Sequence, residues 1–157
     1  MAVASHVPAI REAVEADAPA IRALIRQAQL NPIDLDWRRF LVALDRSDVV
    51  ACAQVRPHRG GTRELASVAV SLSHRGRGLG RAVAEAAISR EPVRPLYLYT
   101  ESRTEAFWAR FDFRAVDGAA IPRDLRRSLR IARLATAVFS IAMRERYRIV
   151  VMRRDEP

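Results

Sequence analysis

A segment of glycine and arginine in the middle of the chain has the composition of a phosphate-binding turn. It follows the apolar residues 68–70 and contains Arg75, Gly76, Arg77, Gly78, Leu79, Gly80 and Arg81. Its glycines let the backbone expose N–H groups that side chains would otherwise cover. Good helix formers follow at residues 81–88, so the turn should meet the positive end of a helix. The pattern predicts a site for a phosphate ester.

Two common nucleotide-binding loops do not fit this segment. A P-loop ends in Gly-Lys followed by Ser or Thr, whereas Arg81 and Ala82 follow Gly80 here. The dinucleotide fingerprint needs a third glycine at the position of Arg81, and it usually lies in the first strand-helix unit of a domain. We therefore expect neither loop.

The segment closely resembles the acetyl-CoA loop of the GNAT acetyltransferases, whose pattern is Arg or Gln, two residues, Gly, one residue, and Gly or Ala. Arg75, Gly78 and Gly80 fill this pattern. The resemblance implies that the loop N–H groups bind the CoA pyrophosphate. It also implies that the preceding strand, formed by Val68, Ala69 and Val70, binds the acetyl and pantetheine end. A basic solvated turn and an arginine-glycine contact to nucleic acid are the alternatives.

A second segment, Thr104 to Phe113, resembles the family's Phe-Tyr-x-x-x-Gly-Phe pattern. Phe107 and Phe113 agree with it, whereas Trp108 replaces the usual Tyr and Asp112 replaces the Gly. The resemblance places Phe107 and Trp108 at the cofactor. The family often steadies the departing thiolate with the missing tyrosine, and an indole N–H can donate a hydrogen bond but supplies no useful proton.

A tyrosine on the neighbouring predicted strand could substitute for the missing one. Tyr97 and Tyr99 share one face of Leu96–Thr100, and Tyr99 is our candidate catalytic residue. Core packing is the alternative role for both rings.

Acetyl transfer to an amine needs a base, because the nucleophile must be neutral. Glu64 is the first candidate, since at period two it should share a strand face with Val68. Several GNAT branches place a basic glutamate at this position relative to the loop. A surface or edge glutamate is the alternative.

The segment between the first helix and the second strand borders the acceptor pocket in GNAT enzymes. Here it contains Asp34, Asp36 and Trp37, which are therefore candidates to bind an amine substrate. Ordinary helix capping and a packed Trp are the alternative.

Composition and charge limit which ligands and partners the chain is expected to have. The chain has 157 residues, half of them hydrophobic, and 27 Lys and Arg against 18 Asp and Glu give a net charge of +9. This charge favours an anionic ligand, for which CoA suffices. No apolar run approaches the roughly 18 residues of a membrane span, and we expect a cytoplasmic protein with no membrane or nucleic-acid partner. Cys52 is expected in the core, and the scattered histidines indicate no metal site.

The predicted strands and helices that position these residues indicate an α/β fold. A strand at Ala9–Ala13, a helix capped by Asp17, and a hairpin of Phe40–Asp45 with Val49–Val55 precede the strand 63–70 that leads to the loop. A strand on each side of the loop helix predicts a parallel crossover. In GNAT folds these two parallel strands splay apart. We expect a single GNAT domain over residues 1–157, with a mixed sheet of antiparallel strands followed by that splayed pair.

We predict an additional basic helical segment at residues 122–145, before a last strand at Tyr147–Arg153. Its arginines recur at spacings of three and four, which is typical of a solvated face, or of a surface for membrane or nucleic acid. The apolar run Leu134–Met143 would suit a buried helix end or a homodimer contact.

We therefore expect an acetyl-CoA-dependent N-acetyltransferase that acts by direct attack of a small molecule's primary amine, with amino acids among the candidates. Weaker resemblances to the N-acetylglutamate synthase type and to arsenic-resistance-associated GNAT proteins agree on a small amine. The alternatives are an acetyltransferase for protein N-termini or lysines, and a non-catalytic module that binds CoA or nucleic acid.

Overall fold

The computed structural model describes residues 8–131, 134 and 148–156. The strands are β1 (Ala9–Glu12), β2 (Phe40–Asp45), β3 (Asp48–Pro57), β4 (Arg63–Val70), β5 (Leu96–Glu101), β6 (Arg114–Val116) and β7 (Ile149–Arg154). The helices are α1 (Ala18–Gln27), α2 (Leu79–Arg90) and α3 (Glu105–Ala109), and residues 123–131 are also helical. The seven strands belong to one mixed sheet. Within the described residues, no helix combines the length and the apolar character needed to cross a membrane.

The chain divides into two compact units. The first comprises Met1–Val55 and Leu65–Glu91, and the second comprises Arg56–Glu64 and Pro92–Pro157. Strand β4 contributes its first two residues to the second unit and the rest to the first.

The first unit contains the strand order β1-β2-β3-β4, with α1 and α2 packed on the strands. Strands β2 and β3 form the predicted antiparallel hairpin, with Phe40 opposite Gln54. Ile21, Leu24 and Ile25 lie on one face of α1, as their helical spacing predicted, and pack against Phe40 in a buried core. This core fixes the strand that leads to the phosphate loop.

Asp17 precedes α1 as predicted, and Pro19 lies in the first turn. Its carboxylate does not cap that helix, however. It accepts a hydrogen bond from the Val14 N–H at 2.8 Å and forms an ion pair with Arg11 at 2.6 Å. The Arg11 hydrogen bond, opposed by burial and assisted by Val14, holds the pKa of Asp17 below its usual range.

Asp17→Asn should lower the free energy of unfolding by about 1 kcal/mol at neutral pH, the usual contribution of such a hydrogen bond. Because the folded-state pKa is depressed, this stabilisation exists above the unfolded pKa of about 4 and is lost as the pH falls through the folded value. Urea unfolding from pH 7 to pH 3 tests it. The difference between wild type and Asp17→Asn should shrink at acid pH, with Asp48→Asn as an exposed control substitution. A constant difference would contradict the assignment.

The second unit contains the order β4-β5-β7-β6. The parallel pairing of β4 with β5 joins Arg63 to Leu96 and Glu64 to Tyr97, and α2 connects the two strands. Strand β7 is antiparallel to both β5 and β6. The predicted α/β fold with a mixed sheet and a parallel crossover is therefore confirmed.

The basic segment predicted at 122–145 is helical over its described residues 123–131. There Leu125 and Leu129 are buried against Tyr97 and Val151, so this face of the helix belongs to the core of the second unit. Most of the apolar run Leu134–Met143 and the beginning of the predicted last strand lie outside the described residues. That strand begins at Ile149 and ends at Arg154.

Candidate functional site

The loop after β4 presents a row of backbone donors to solvent. It passes through a short 3-10 turn, Leu72–His74, and α2 begins at Leu79 with Gly78 as its N-cap. At the start of α2, the Ala82 N–H donates a hydrogen bond to the Gly78 carbonyl at 3.0 Å. In the described part of the chain, the N–H groups of residues 76–81 donate no hydrogen bond within the protein. These donors, at the positive end of a helix of 12 residues, suit an anion.

Two glycines keep this face of the loop open. Gly76 has φ of +75° and Gly78 has φ of +77°, the left-handed conformation that side chains disfavour. A Cβ atom built on either would meet nothing within 4 Å, so the space beside the backbone is free. At Gly80 a Cβ would lie 3.4 Å from Val70 Cγ2, so α2 packs closely on β4. The loop therefore fits the CoA pyrophosphate that the resemblance implied.

Side chains around the loop fix its first turn. The His74 imidazole contacts the Asp45 carboxylate at 3.0 Å through Nε2 and the Ser71 hydroxyl at 2.8 Å through Nδ1. The Leu72 N–H donates to the Gln27 side chain at 3.2 Å. A turn held in this way loses little freedom when it binds a ligand.

The arginines of the loop differ in their contacts. Arg75 and Arg77 are exposed, whereas Arg81 forms an ion pair with Glu85 at 2.8 Å, one turn along α2. All three add positive charge beside the free N–H groups, although Arg81 shares its charge with a carboxylate.

Strand β4 is irregular before it reaches the loop. Ser67 has φ of +58°, and its hydroxyl accepts a hydrogen bond from the Gln54 amide at 2.9 Å. A left-handed residue inside a strand interrupts the alternation of side chains. Ser67 thus interrupts the period-two alternation from which Glu64 and Val68 were predicted to share a strand face.

The three strand residues before the loop differ in burial. Ala69 is buried in the core of the first unit, whereas Val68 and Val70 are half-buried. The role that the resemblance implied for them uses backbone groups, which their burial does not remove.

Glu64 is the centre of a buried polar cluster in the second unit. Only 1% of the residue is exposed. Its Oε2 lies 2.6 Å from His58 Nε2, and its Oε1 accepts from Arg56 at 3.3 Å. Tyr99 also lies near this carboxylate, whose charge helps to raise the pKa of the tyrosine. We call Arg56, His58, Glu64 and Tyr99 the Glu64 cluster.

Sequence reasoning missed two members of this cluster, Arg56 and His58. Arg56 lies at the end of β3, His58 begins the turn at residues 58–62, and Glu64 follows that turn. Cross-strand pairing around that turn was the signal that could have brought them together.

Burial, followed by the nearby charge of Glu64, raises the pKa of Tyr99 to about 12. The hydroxyl is therefore protonated throughout the neutral range. The folded protein resists losing this proton between the ordinary value of 10 and about 12, so stability should fall as the pH rises across that interval.

Tyr99→Phe should remove the ionisation step at the highest pH in a tyrosinate titration followed by ultraviolet absorbance. Tyrosine ionisation near the ordinary pKa of 10 should be unchanged in the variant. Loss of the ionisation near pH 10 instead would contradict the assignment, and circular dichroism at each pH would show whether the protein stays folded.

The aromatic residues of α3 form a cluster of their own. Trp108 packs edge-on against Phe107, with ring centroids 4.8 Å apart, and is 8% exposed. Its indole N–H donates to the Thr100 hydroxyl at 3.1 Å. Asp112, which stands where the family has glycine, has φ of +63°, a conformation that Asp adopts more readily than most residues.

The three residues proposed to bind an amine have partners within the first unit. Asp34 forms an ion pair with Arg39 at 2.6 Å, and the Asp36 carboxylate accepts the Arg38 N–H at 3.1 Å as an N-cap. Trp37 packs against the core, and the Arg38 guanidinium lies 4.6 Å from its ring centre. Half of the Asp34 side chain remains exposed.

Cys52 is buried as expected, and burial raises the pKa of its thiol to about 12. Such a thiol is a poor nucleophile at neutral pH. Across residues 8–131, 134 and 148–156, no group of three or more His, Cys, Asp or Glu side chains could hold a metal ion.

The mixed sheet, whose fourth strand leads into an open turn with free N–H groups and then a helix, has the arrangement that the resemblance to the GNAT acetyltransferases implied. The model of the acetyltransferase (GNAT) domain matches residues 36–115, and the chain belongs to this family. The resemblance in the loop is thereby confirmed. The protein is an acetyltransferase, and acetyl-CoA is its acetyl donor.

Solved structures share the fold at low sequence identity. N-acetylglutamate synthase from Neisseria gonorrhoeae, complexed with coenzyme A and N-acetyl-glutamate, is 19% identical with a TM-score of 0.74, and the match covers 94% of this chain and 34% of the synthase. Rv2747 from Mycobacterium tuberculosis, solved with CoA and a second ligand, is 21% identical with a TM-score of 0.71, over 96% of this chain and 100% of that one. ElaA from Escherichia coli is 15% identical with a TM-score of 0.63, over 95% and 100%.

The present chain thus spans about a third of the Neisseria synthase and the whole of the other two proteins. A search of curated proteins found no match.

Proposed function

We propose that this protein transfers the acetyl group of acetyl-CoA to the primary amine of a small molecule, and that amino acids are the substrate class. The observation that carries the proposal is the open row of N–H groups at residues 76–81. Family membership supplies the reaction class. The Neisseria synthase, solved with CoA and N-acetyl-glutamate, supports an amino acid as the acceptor by analogy of fold.

The loop residues have the first role in this proposal. Acetyl-CoA, when bound, supplies an acetyl group activated as a thioester. The free N–H groups of residues 76–81 hold the pyrophosphate, and Arg75 and Arg77 add charge that attracts it. Backbone N–H groups of Val68 or Val70 polarise the acetyl carbonyl, and Phe107 and Trp108 line the cofactor.

The Glu64 cluster has the second role, which is to move protons. The carboxylate of Glu64 provides the negative charge that makes removal of a proton from the amine favourable. Tyr99, whose raised pKa keeps it protonated, is the candidate to steady the departing thiolate. Trp108 can donate a hydrogen bond but supplies no useful proton, and its N–H is bonded to Thr100.

Acceptor recognition is assigned to residues 31–39. Asp34 and Asp36 keep half-exposed carboxylates beside Trp37, and a carboxylate with an aromatic neighbour attracts a cationic amine before it loses its proton.

Acetylation of a substrate panel tests the proposal. The purified chain would be incubated with acetyl-CoA and each common amino acid, with N-acetylated amino acids as matched blocked controls and short peptides with free N-termini in parallel. We expect CoA release and an acetylated product from amino acids but not from blocked ones. Acetylation confined to the peptides would overturn the proposed substrate class.

A further inference from the structure

We propose that His58 accepts the proton of the attacking amine, and that Glu64 holds the His58 imidazole in place without contacting the amine itself. This inference rests on the proposed function and names the atom that performs its proton transfer. It begins from the burial of Glu64, whose side chain is 2% exposed, against 12% for His58.

The contacts of Glu64 leave it poorly placed to meet a substrate. One carboxylate oxygen contacts His58 and the other accepts from Arg56, while Tyr99 approaches the same group. An amine would have to displace one of these partners before it could touch the carboxylate. The imidazole, in contrast, reaches the carboxylate with one nitrogen and is partly exposed.

The short contact sets the protonation of the ring. An ionised carboxylate accepts hydrogen bonds only, so at 2.6 Å the Nε2–H of His58 must donate to it. In the neutral imidazole Nδ1 then carries a lone pair. Among the described residues, Nδ1 has no hydrogen-bond partner. A carboxylate on one ring nitrogen and a free lone pair on the other is the arrangement of a general base held in one tautomer.

The backbone around His58 holds the ring in place. Its N–H donates to the Thr62 carbonyl at 2.8 Å, which closes the turn. The carboxylate of Asp124, in the helix at 123–131, then accepts from the Gly60 N–H at 3.0 Å and the Thr62 hydroxyl at 2.8 Å. The turn that carries the imidazole is thus fixed from both sides.

The proton and bond changes balance without a further reactant. As the amine nitrogen bonds to the acetyl carbon, one N–H bond breaks and its proton passes to His58 Nδ1. The carbon-sulfur bond breaks, and the thiolate takes a proton from solvent. The imidazolium, stabilised by Glu64, then returns its Nδ1 proton to water.

Charged and titratable groups from four elements face the imidazole or its carboxylate. Glu64 from β4 and Asp124 from the helix at 123–131 are acidic, Arg56 from β3 is basic, and Tyr99 from β5 is protonated at neutral pH. Glu64 is the nearest of these, with its Oε2 at 2.6 Å from the ring nitrogen.

Rescue by free imidazole tests the inference in the full chain. His58→Ala should lower kcat for the best amine by about 10²-fold or more, and added imidazole should restore part of it. His58→Gln, which can still donate to Glu64 but cannot take up a proton, should be equally slow and insensitive to imidazole. Arg59→Ala, an exposed change in the same turn, is the control. Thermal unfolding would confirm that every variant is folded.

The activities of the two glutamine variants separate the outcomes. We expect Glu64→Gln to keep measurable activity, because the His58 imidazole remains, and His58→Gln to be slower than Glu64→Gln. Full activity in His58→Gln would overturn the inference and leave Glu64 as the direct base, with the proposed function intact. If wild type acetylates no amine, the proposed function itself fails.

Discussion

Gly78→Glu should reduce the affinity for acetyl-CoA by at least about 100-fold. Gly78 has φ of +77° and open space beside its Cα, so a side chain there would strain the backbone and occupy the anion's position. Each charge-assisted hydrogen bond lost contributes about 1.5–3 kcal/mol, and a 100-fold loss corresponds to about 2.7 kcal/mol. Isothermal titration calorimetry with acetyl-CoA and with CoA measures the effect.

Three matched variants separate the causes of this loss. Gly78→Ala introduces the backbone strain with little bulk, Gly78→Gln adds bulk without charge, and Gly118→Glu adds the same residue at another positive-φ glycine. We expect affinity to decrease in the order Ala, Gln, Glu at position 78 and to change little at position 118. Unaltered binding in Gly78→Glu would show that the loop does not hold the pyrophosphate.

Glu64→Gln should lower kcat/KM for the amine by about 10²- to 10⁴-fold, the range typical of a lost acid-base group. The substitution keeps the shape of the side chain but removes the charge that faces His58 and Arg56. Binding of acetyl-CoA should be unchanged, since Glu64 lies outside the loop. Steady-state kinetics combined with calorimetry would show whether the loss is confined to the chemical step.

A purely structural role for Glu64 predicts a different pattern. Removing a buried, bonded carboxylate can destabilise the fold, so the melting temperature must be measured beside the rate. Glu12→Gln makes the same change in a surface ion pair with Arg90, where the carboxylate is 70% exposed. This control should leave both kcat/KM and the melting temperature unchanged. A Glu64→Gln protein with normal kcat/KM would contradict the assignment, whatever its stability.

The loop was predictable from sequence because its chemistry is local. Glycines at fixed spacing, followed at once by helix formers, determine where the backbone turns and which N–H groups stay free. The structure accordingly gives Gly76 and Gly78 the positive φ angles that such a turn requires. The hairpin of β2 and β3 was predictable for the same reason, since neighbouring runs of apolar residues pair across a short turn.

The surroundings of Glu64 were not predictable from the same patterns. His58 and Arg56 reach it because β3 and β4 pair across a turn of particular length, and Tyr99 reaches it from a strand 35 positions later in the chain. The left-handed backbone of Ser67, which interrupts the alternation of side chains along β4, was not predictable from period two either. A contact that depends on register or on a bulge is decided by tertiary packing.

Asp17 and Asp36 show the same distinction on a smaller scale. Both were expected beside a helix or turn, and both lie there. Asp36 caps its own short turn, whereas Asp17 bonds backward to Val14 and Arg11. Sequence indicates that such a residue begins a helix, but the available donors decide which of them it satisfies.

The most direct test of the whole account is mass spectrometry of amino acids incubated with the purified chain and acetyl-CoA, with CoA release measured in the same reaction. The account predicts amino acids that gain one acetyl group on nitrogen, in amounts equal to the CoA released, and no product from the Gly78→Glu variant. Tight binding of acetyl-CoA with no acetylated amine, or release of CoA with free acetate as the sole product, would contradict it.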